Sequence, residues 1–357
     1  MSALNVYLDT SHWHALAAAA NGAPRNPGDT EVLALLGKLV GQEVIRIPFS
    51  CFNYFELAEF SGDKGRERAG RLMGELSRFW TMAPLHVVMQ GELESSLHAR
   101  FGRPERPTPV PKFGFGAGFA MGRPLTLRLE GGTPEQRTLL EARTGVTIAQ
   151  LVARLQVQSE FALLIGPPRA DWDKLPGYDA LAGRELENQE LQSIQVMIGN
   201  LLGEAQLASR PRDAILARQF MADLRPILAP TMAKAGFGIG DWPFGGKEDL
   251  EAFLLSMPSR RVAVTMQSHY IHKGKDPWEV GDLRDIDALS LALPICDIVV
   301  VDKEVFDAAT IEHLDTLFEK KFLRHLVDLA SYLRQLDLVT SAGASHADPD
   351  TAYAPDL

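Results

Sequence analysis

Apolar and polar positions along this chain change register repeatedly between the two-residue period of a strand and the longer period of a helix. Asn5 to Leu8 is a short apolar β-type run, and Asp9-Thr10-Ser11 then opens the helix-prone stretch HWHALAAAA. The N-terminus therefore reads as strand, turn, helix. A Pro/Gly/Asn loop at 21 to 29 and a helical pattern from Thr30 to Val40 follow. The β-rich run Val44-Ile45-Arg46-Ile47-Pro48 leads into another helix, with Ser50 as its cap and Asn53 at the third position. The pattern returns near the C-terminus, as a helix over Asp285 to Leu293 and a strand ending Asp297-Ile298-Val299-Val300-Val301-Asp302. Strands alternating with helices predict an α/β fold with a parallel sheet covered on both faces, and the two ends belong to one domain.

Between those ends the chain changes character. A Pro/Gly-rich stretch, RPERPTPVPKFGFGAGFAMGRP, precedes long helical patterns around Pro134 to Leu164 and Tyr178 to Leu207. The expected organisation is a domain in two parts, 1–83 and 251–340, interrupted by a mostly helical insertion over 84–250. A disordered tail, SAGASHADPDTAYAPDL, is expected over 341–357. Two glycine-aromatic stretches, FGFGAGF at 113 to 119 and GFGIGDWPFGG at 236 to 246, are expected to be ordinary loops rather than base-stacking ones. No GxxxxGK[ST] and no repeat of 20 to 50 residues occurs, which removes P-loop, solenoid and propeller readings.

Composition narrows the classes further. With 46% hydrophobic and 23% charged residues the chain has the mixture of a globular protein. No run approaches the roughly 18 to 20 apolar residues that cross a bilayer, and the N-terminus carries no signal-like segment, so a cytoplasmic protein without a membrane partner is expected. The two cysteines, Cys51 and Cys296, have no zinc-ligand spacing and read as buried small hydrophobes. A formal charge of −10 argues against coating nucleic acid through bulk positive potential, while leaving room for a local basic groove.

The candidate chemistry is acidic. Asp9 ends the first apolar strand and Asp302 the last, so a parallel sheet puts both at its carboxyl edge, where such folds bind ligands. Each alone has a plainer role as a helix cap. Glu56 lies about a turn into the helix that follows the second strand. In RDIDALSLAL, at about 100° per residue, Ile286, Leu289 and Leu293 form the buried face. Asp285 borders that face, Asp287 points well away, and Asp282 is better placed as the cap, so Asp285 is preferred and the other two stay open as contributors. His12 and His14 are two apart on the first helix, where surface or packing roles outweigh catalysis.

The segments LDTS at 8 to 11, S-x-x-x-x-x-E-L at 50 to 57, RDIDALSLA at 284 to 292 and IVVVDK at 298 to 303 resemble, in that order, the four acidic signatures of PIN-domain (PilT N-terminus-like) nucleases. The resemblance spans about residues 1 to 62 and 278 to 336. It implies a three-layer fold around a central parallel sheet and a carboxylate cluster of Asp9, Glu56, Asp285 and Asp302, with Ser11 or Thr10 as a polar neighbour. It also implies hydrolysis of RNA, or of DNA, to a 5′-phosphate product by an endonuclease. Where the family often carries Thr or Ser before the last acid, this chain has Val301. The insertion is larger than in compact members and is expected to meet substrate, a regulatory protein or a second copy. An all-carboxylate set suits Mg²⁺ or Mn²⁺ rather than zinc.

A polyanion also needs cations. The stretch PSRRVAVTMQSHYIHKGK offers Arg260, Arg261, His269, His272, Lys273 and Lys275, either as a phosphate-holding strip or as a solvated one. Two further classes compete with the nuclease. Haloacid-dehalogenase-like phosphotransferases also begin with Asp after a strand, but need a second acid where this chain has Ser11. A scaffold for RNA or protein, with carboxylates too spread to hold metal, is the other.

Overall fold

The computed structural model describes residues 3–60, 62–101, 109–128, 130–175, 184–203, 210–237, 244–274 and 278–336. The expected tail at 341–357 and most of the second glycine-aromatic stretch lie outside them. The chain runs through β1 (Leu4–Leu8), α1 (Thr10–Ala20), α2 (Asp29–Gly41), β2 (Ile45–Arg46), α3 (Cys51–Glu59), α4 (Asp63–Ser77), β3 (Trp80–Met82), α5 (Leu85–Phe101), β4 (Phe113–Phe115) and α6 (Gly116–Ala120). Helices α7 (Pro134–Thr144), α8 (Ile148–Ile165), α9 (Arg184–Gly203), α10 (Pro211–Arg218), α11 (Arg225–Lys234), α12 (Lys247–Ser256), α13 (Pro258–His272) and α14 (Val280–Ile295) follow. Then come β5 (Ile298–Val300), α15 (Lys303–Ile311), α16 (Leu314–Phe318), β6 (Lys321–Leu323) and α17 (Leu326–Gln335).

Four strands pair in the order β2-β1-β5-β6, all parallel, with Val6 opposite Ile298, Tyr7 opposite Val299 and Leu8 opposite Val300. The two-residue period of the strands sends alternate side chains to opposite faces. Val6, Leu8, Ile298 and Val300 enter one core with Trp13, Leu16, Leu36, Leu57 and Leu329. Tyr7, Val299 and Val301 enter a second with Met266, Ile286, Leu289 and Val305. The sheet is therefore covered on both faces, as the alternation of strands and helices predicts.

The segment between the two ends is mostly helical but does not stand apart. Ala117, Ala120 and Leu164 complete the first core, and Val88 and Ile194 the second. A third core joins α5 to α10, α11 and α12 through Leu93, Leu97, Ile215, Leu228 and Leu254, and reaches α13 at Val264. The stretch at 113 to 119 is not a loop. Phe113–Phe115 pairs antiparallel with β3, and Gly116 turns into α6 at φ +83°. A Cβ at Gly116 would stand 2.3 Å from the Glu160 carboxylate, which accepts a hydrogen bond from the Ala117 amide at 2.7 Å. Close approach there requires glycine. Among the described residues no helix is long and apolar enough to cross a membrane.

Candidate functional site

The sheet order fixes where a site belongs. From β1 the chain crosses through α1 and α2 to β2 on one side, whereas β5 leads through α15 and α16 to β6 on the other. The carboxyl ends of β1 and β5 thus flank the point where connections diverge, which opens a crevice in open parallel sheets. Asp9 is the first residue beyond β1, its amide bonded to the Val300 carbonyl at 2.9 Å, and Asp302 is the second beyond β5.

Both aspartates also cap helices, so the plainer reading of each holds as well. Asp9 Oδ2 accepts from Ser11 Oγ at 2.8 Å, and its Oδ1 has no partner among the described residues. Asp302 Oδ1 accepts from the Val305 amide at 2.9 Å. Glu56 approaches from α3, whose start is set by Ser50 and Asn53: the Ser50 amide donates to Asn53 Oδ1 at 2.8 Å. Asn53 Nδ2 then donates to Thr10 Oγ1 at 2.8 Å, and Thr10 Oγ1 donates in turn to Glu56 Oε2. Thr10 therefore ties α1 to α3, while Ser11 engages Asp9.

Asp285 comes from α14 and makes no hydrogen bond among the described residues. It lines a small cavity of about 10 Å³ with Tyr7, Asp9, Ala288, Leu289, Val301 and Val305. Burial, then the charges of Asp9, Asp302 and Glu56, pushes its carboxyl up to about 8. Glu56 is pushed up to about 7, mainly by burial, with Thr10 opposing and Asp9 reinforcing the shift. Asp302 is raised by burial against the opposing Val305 hydrogen bond. These four residues from four separate segments thus share one electrostatic neighbourhood.

Of the two neighbouring acids on α14, Asp282 adds its charge to the push on Asp285 but is committed to a cap, and Asp287 lies elsewhere. Asp282 Oδ2 accepts from the Glu279 amide at 2.8 Å in a capping box. Asp287 does face away from the cluster, but into protein rather than water: it is half-buried and pushed up to about 8 by burial and then by Glu190, with Arg260 opposing.

The basic strip does not form as a strip. Helix α13 is largely buried, and Arg260 is 3% exposed, donating to Gln219 Oε1 at 2.7 Å and Asp223 Oδ2 at 2.9 Å. Arg261 is half-buried on the Leu255 carbonyl at 2.6 Å. His269 is buried against Glu312 at 2.9 Å. A guanidinium committed to an internal carboxylate is not available to a phosphate, so Arg260 is corrected from a surface group to a core one. Lys273 is exposed, and Lys275 lies outside the described residues.

Two contributors escape sequence reasoning. Tyr7 reads as an apolar strand residue, yet its ring lines the cavity beside Asp9 and Asp285. Arg284 precedes Asp285 and forks between two helices, to Glu59 at 2.8 and 3.0 Å and to Glu187 at 2.7 and 2.8 Å. It fastens α14 to α3, the helix of Glu56, and to α9. Cys51 and Cys296 are buried free thiols, as expected.

Asp9, Glu56, Asp285 and Asp302 offer only carboxylate oxygens, the donors that Mg²⁺ and Mn²⁺ take, and the raised carboxyls mark a place where added positive charge is favourable. Among the described residues no three His, Cys, Asp or Glu side chains are gathered tightly enough to hold a metal as they stand. Carboxylates without a counter-cation repel, so an open cluster is the form expected of them. Compared with known proteins, the chain matches no family model, no curated protein and no solved structure.

Proposed function

We propose that this chain is a PIN-like, Mg²⁺- or Mn²⁺-dependent endonuclease that hydrolyses phosphodiester bonds, with single-stranded RNA as the first substrate to test. The supporting observation is that Asp9 and Asp302 follow β1 and β5 at their carboxyl ends and share an electrostatic neighbourhood with Glu56 and Asp285, in the sequence order of the family's acidic signatures.

In this reading Asp9 and Asp302 would hold the cation from the two strand ends and Asp285 from α14, with Glu56 of α3 beside them. A cation held by these carboxylates would supply Lewis-acid polarisation and charge neutralisation for in-line attack by water on the phosphodiester. Glu56 is held through Oε2 by Thr10, which leaves Oε1 to take the proton of the attacking water. Ser11 keeps Asp9 oriented and stands exposed beside the incoming strand.

The test is cleavage of labelled single-stranded RNA with Mg²⁺ or Mn²⁺ by the wild type, Asp9→Asn and Asp302→Asn. Asparagine caps helices as well as aspartate, so both variants keep their fold. Changing outer-shell groups of metal sites already costs about 10–100-fold, so loss of a ligand is expected to cost on the order of 100-fold or more. Equal cleavage by all three proteins marks a contaminant and removes the site assignment. A second reading, a scaffold that no longer holds metal, is favoured by the open carboxylates. It stands if no protein cleaves and Mn²⁺ leaves the melting temperature unchanged, because a ligand that binds only the native state raises stability.

A further inference from the structure

One turn out from the carboxylates, the seam between α1 and α3 changes from acidic to aromatic. Thr10 and His14 are four apart on α1 and share a helix face, and Phe60 caps the end of α3 four residues after Glu56. Thr10 meets Glu56, and His14 meets Phe60 with ring centroids 4.8 Å apart and planes at 35°. On α1 the half-buried stripe is Thr10, His14 and Ala18, while most of the helix around it is buried. The stripe leads to the 21–28 loop, where Arg25 is exposed and has no hydrogen-bond or ion-pair partner among the described residues. His14 stands about one helical turn along α1 from Thr10, which holds Glu56, on the way to the loop that carries Arg25.

Phe60 is held from behind. A Cβ at Gly65 would stand 2.5 Å from Phe60 Cε1, so the ring rests where only glycine leaves room. Arg169 Nη2 donates to the Phe60 carbonyl at 3.1 Å and fixes the backbone there. Phe60 and His14 both keep part of their surface open to solvent. A held ring, partly exposed, on the same seam as an exposed guanidinium in the following loop and about one helical turn from the proposed site, is the arrangement that single-stranded nucleic acid exploits: π-faces take bases and cations take phosphates.

We propose that the His14–Phe60 pair is the platform on which a nucleobase flanking the cleaved phosphodiester stacks, with Arg25 receiving the next phosphate. The assignment rests on the nuclease reading and adds to it a specific substrate contact: an unpaired base, not phosphate alone.

The experiment uses full-length protein carrying Asp302→Asn, which prevents turnover, and measures fluorescence-anisotropy binding of two labelled strands of equal length with Mn²⁺ present. One strand is oligouridine, and the other has the same backbone without bases. Oligouridine is expected to bind more tightly than the abasic strand. Phe60→Leu keeps the apolar packing on Gly65 but removes the π-face, and His14→Ala removes the other ring. Each is expected to weaken oligouridine binding roughly tenfold and to leave abasic binding unchanged. Phe60→Tyr restores the preference, and Arg25→Glu weakens both strands alike. A merely structural role for the rings would not move the difference between strands. If all variants keep the parent's preference, the platform is overturned while the nuclease reading stands. If the parent binds neither strand, both fall.

Discussion

Asp285 is a carboxylate with no hydrogen-bond donor among the described residues and four acidic neighbours, Asp9, Asp302, Glu56 and Asp282. Its folded pKa, near 8, lies well above the roughly 3.9 of an unfolded aspartate, and Glu56, near 7, is displaced in the same sense. Between those limits the native state binds more protons than the unfolded chain, so stability falls as pH rises from about 4 to 8. Without divalent cation the protein is therefore expected to melt higher near about pH 5.5 than near about pH 8.5. Asp285→Asn is expected to flatten that slope and to raise stability at the alkaline end by roughly 1–3 kcal/mol after solvent screening. Part of the slope remains in the variant, because Asp287 is displaced in the same direction. Melting curves in chelator at the two pH values check this. A wild type that grows more stable toward the alkaline end would refute the crowded-acid picture. Saturating Mn²⁺ should remove the deficit, and at about 100 times Kd it contributes about 2.7 kcal/mol.

At the scale of elements the question is what keeps the helices bearing those acids in register. Helices α3 and α14 are tied by one side chain, Arg284, whose guanidinium is 8% exposed and reaches Glu59 and Glu187 across 225 and 97 residues of sequence. Removing one member of a buried, hydrogen-bonded ion group takes from the others a charge that offsets their desolvation. Arg284→Ala is expected to cost about 3 kcal/mol, the low end for such pairs because Glu59 remains a quarter exposed. Arg284→Lys should recover little, since an ammonium cannot fork onto two carboxylates. Urea midpoints measure both, and a lysine variant as stable as wild type would show that the fork is dispensable. This clamp also marks the limit of the sequence. The sheet and its acidic edge are legible because strand period, helix period and Asp-capped turns are local signals. The Arg284 partners and the burial of Arg260 on Asp223 depend on contacts between distant segments. Tyr7 was hidden for another reason, since a tyrosine in an apolar strand looks like core, and it is core on every side but the one facing Asp9.

For the whole molecule, the arrangement of cores decides how the chain divides. The sequence pattern suggests two terminal pieces that form a domain, with 84–250 inserted between them. Yet the inserted stretch supplies Leu164, Ala117 and Ala120 to one core, Val88 and Ile194 to the other, and Glu187 to the Arg284 clamp. Burying a Val, Leu or Ile side chain contributes about 1.5–3 kcal/mol, so losing Leu164, Val88 and Ile194 alone forfeits roughly 5–9 kcal/mol. Native domains are stable by only about 5–15 kcal/mol. A chain joining residue 83 directly to residue 251 is therefore expected to lack cooperative folding, although it retains all four acids and all four parallel strands. Near-UV circular dichroism and urea titration distinguish the cases: weak aromatic signals and a broad transition are expected, with exposed apolar surface that binds hydrophobic dye. A sharp transition with an intact aromatic spectrum would show instead that the acidic site stands on an autonomous domain and that the intervening helices are an accessory to it.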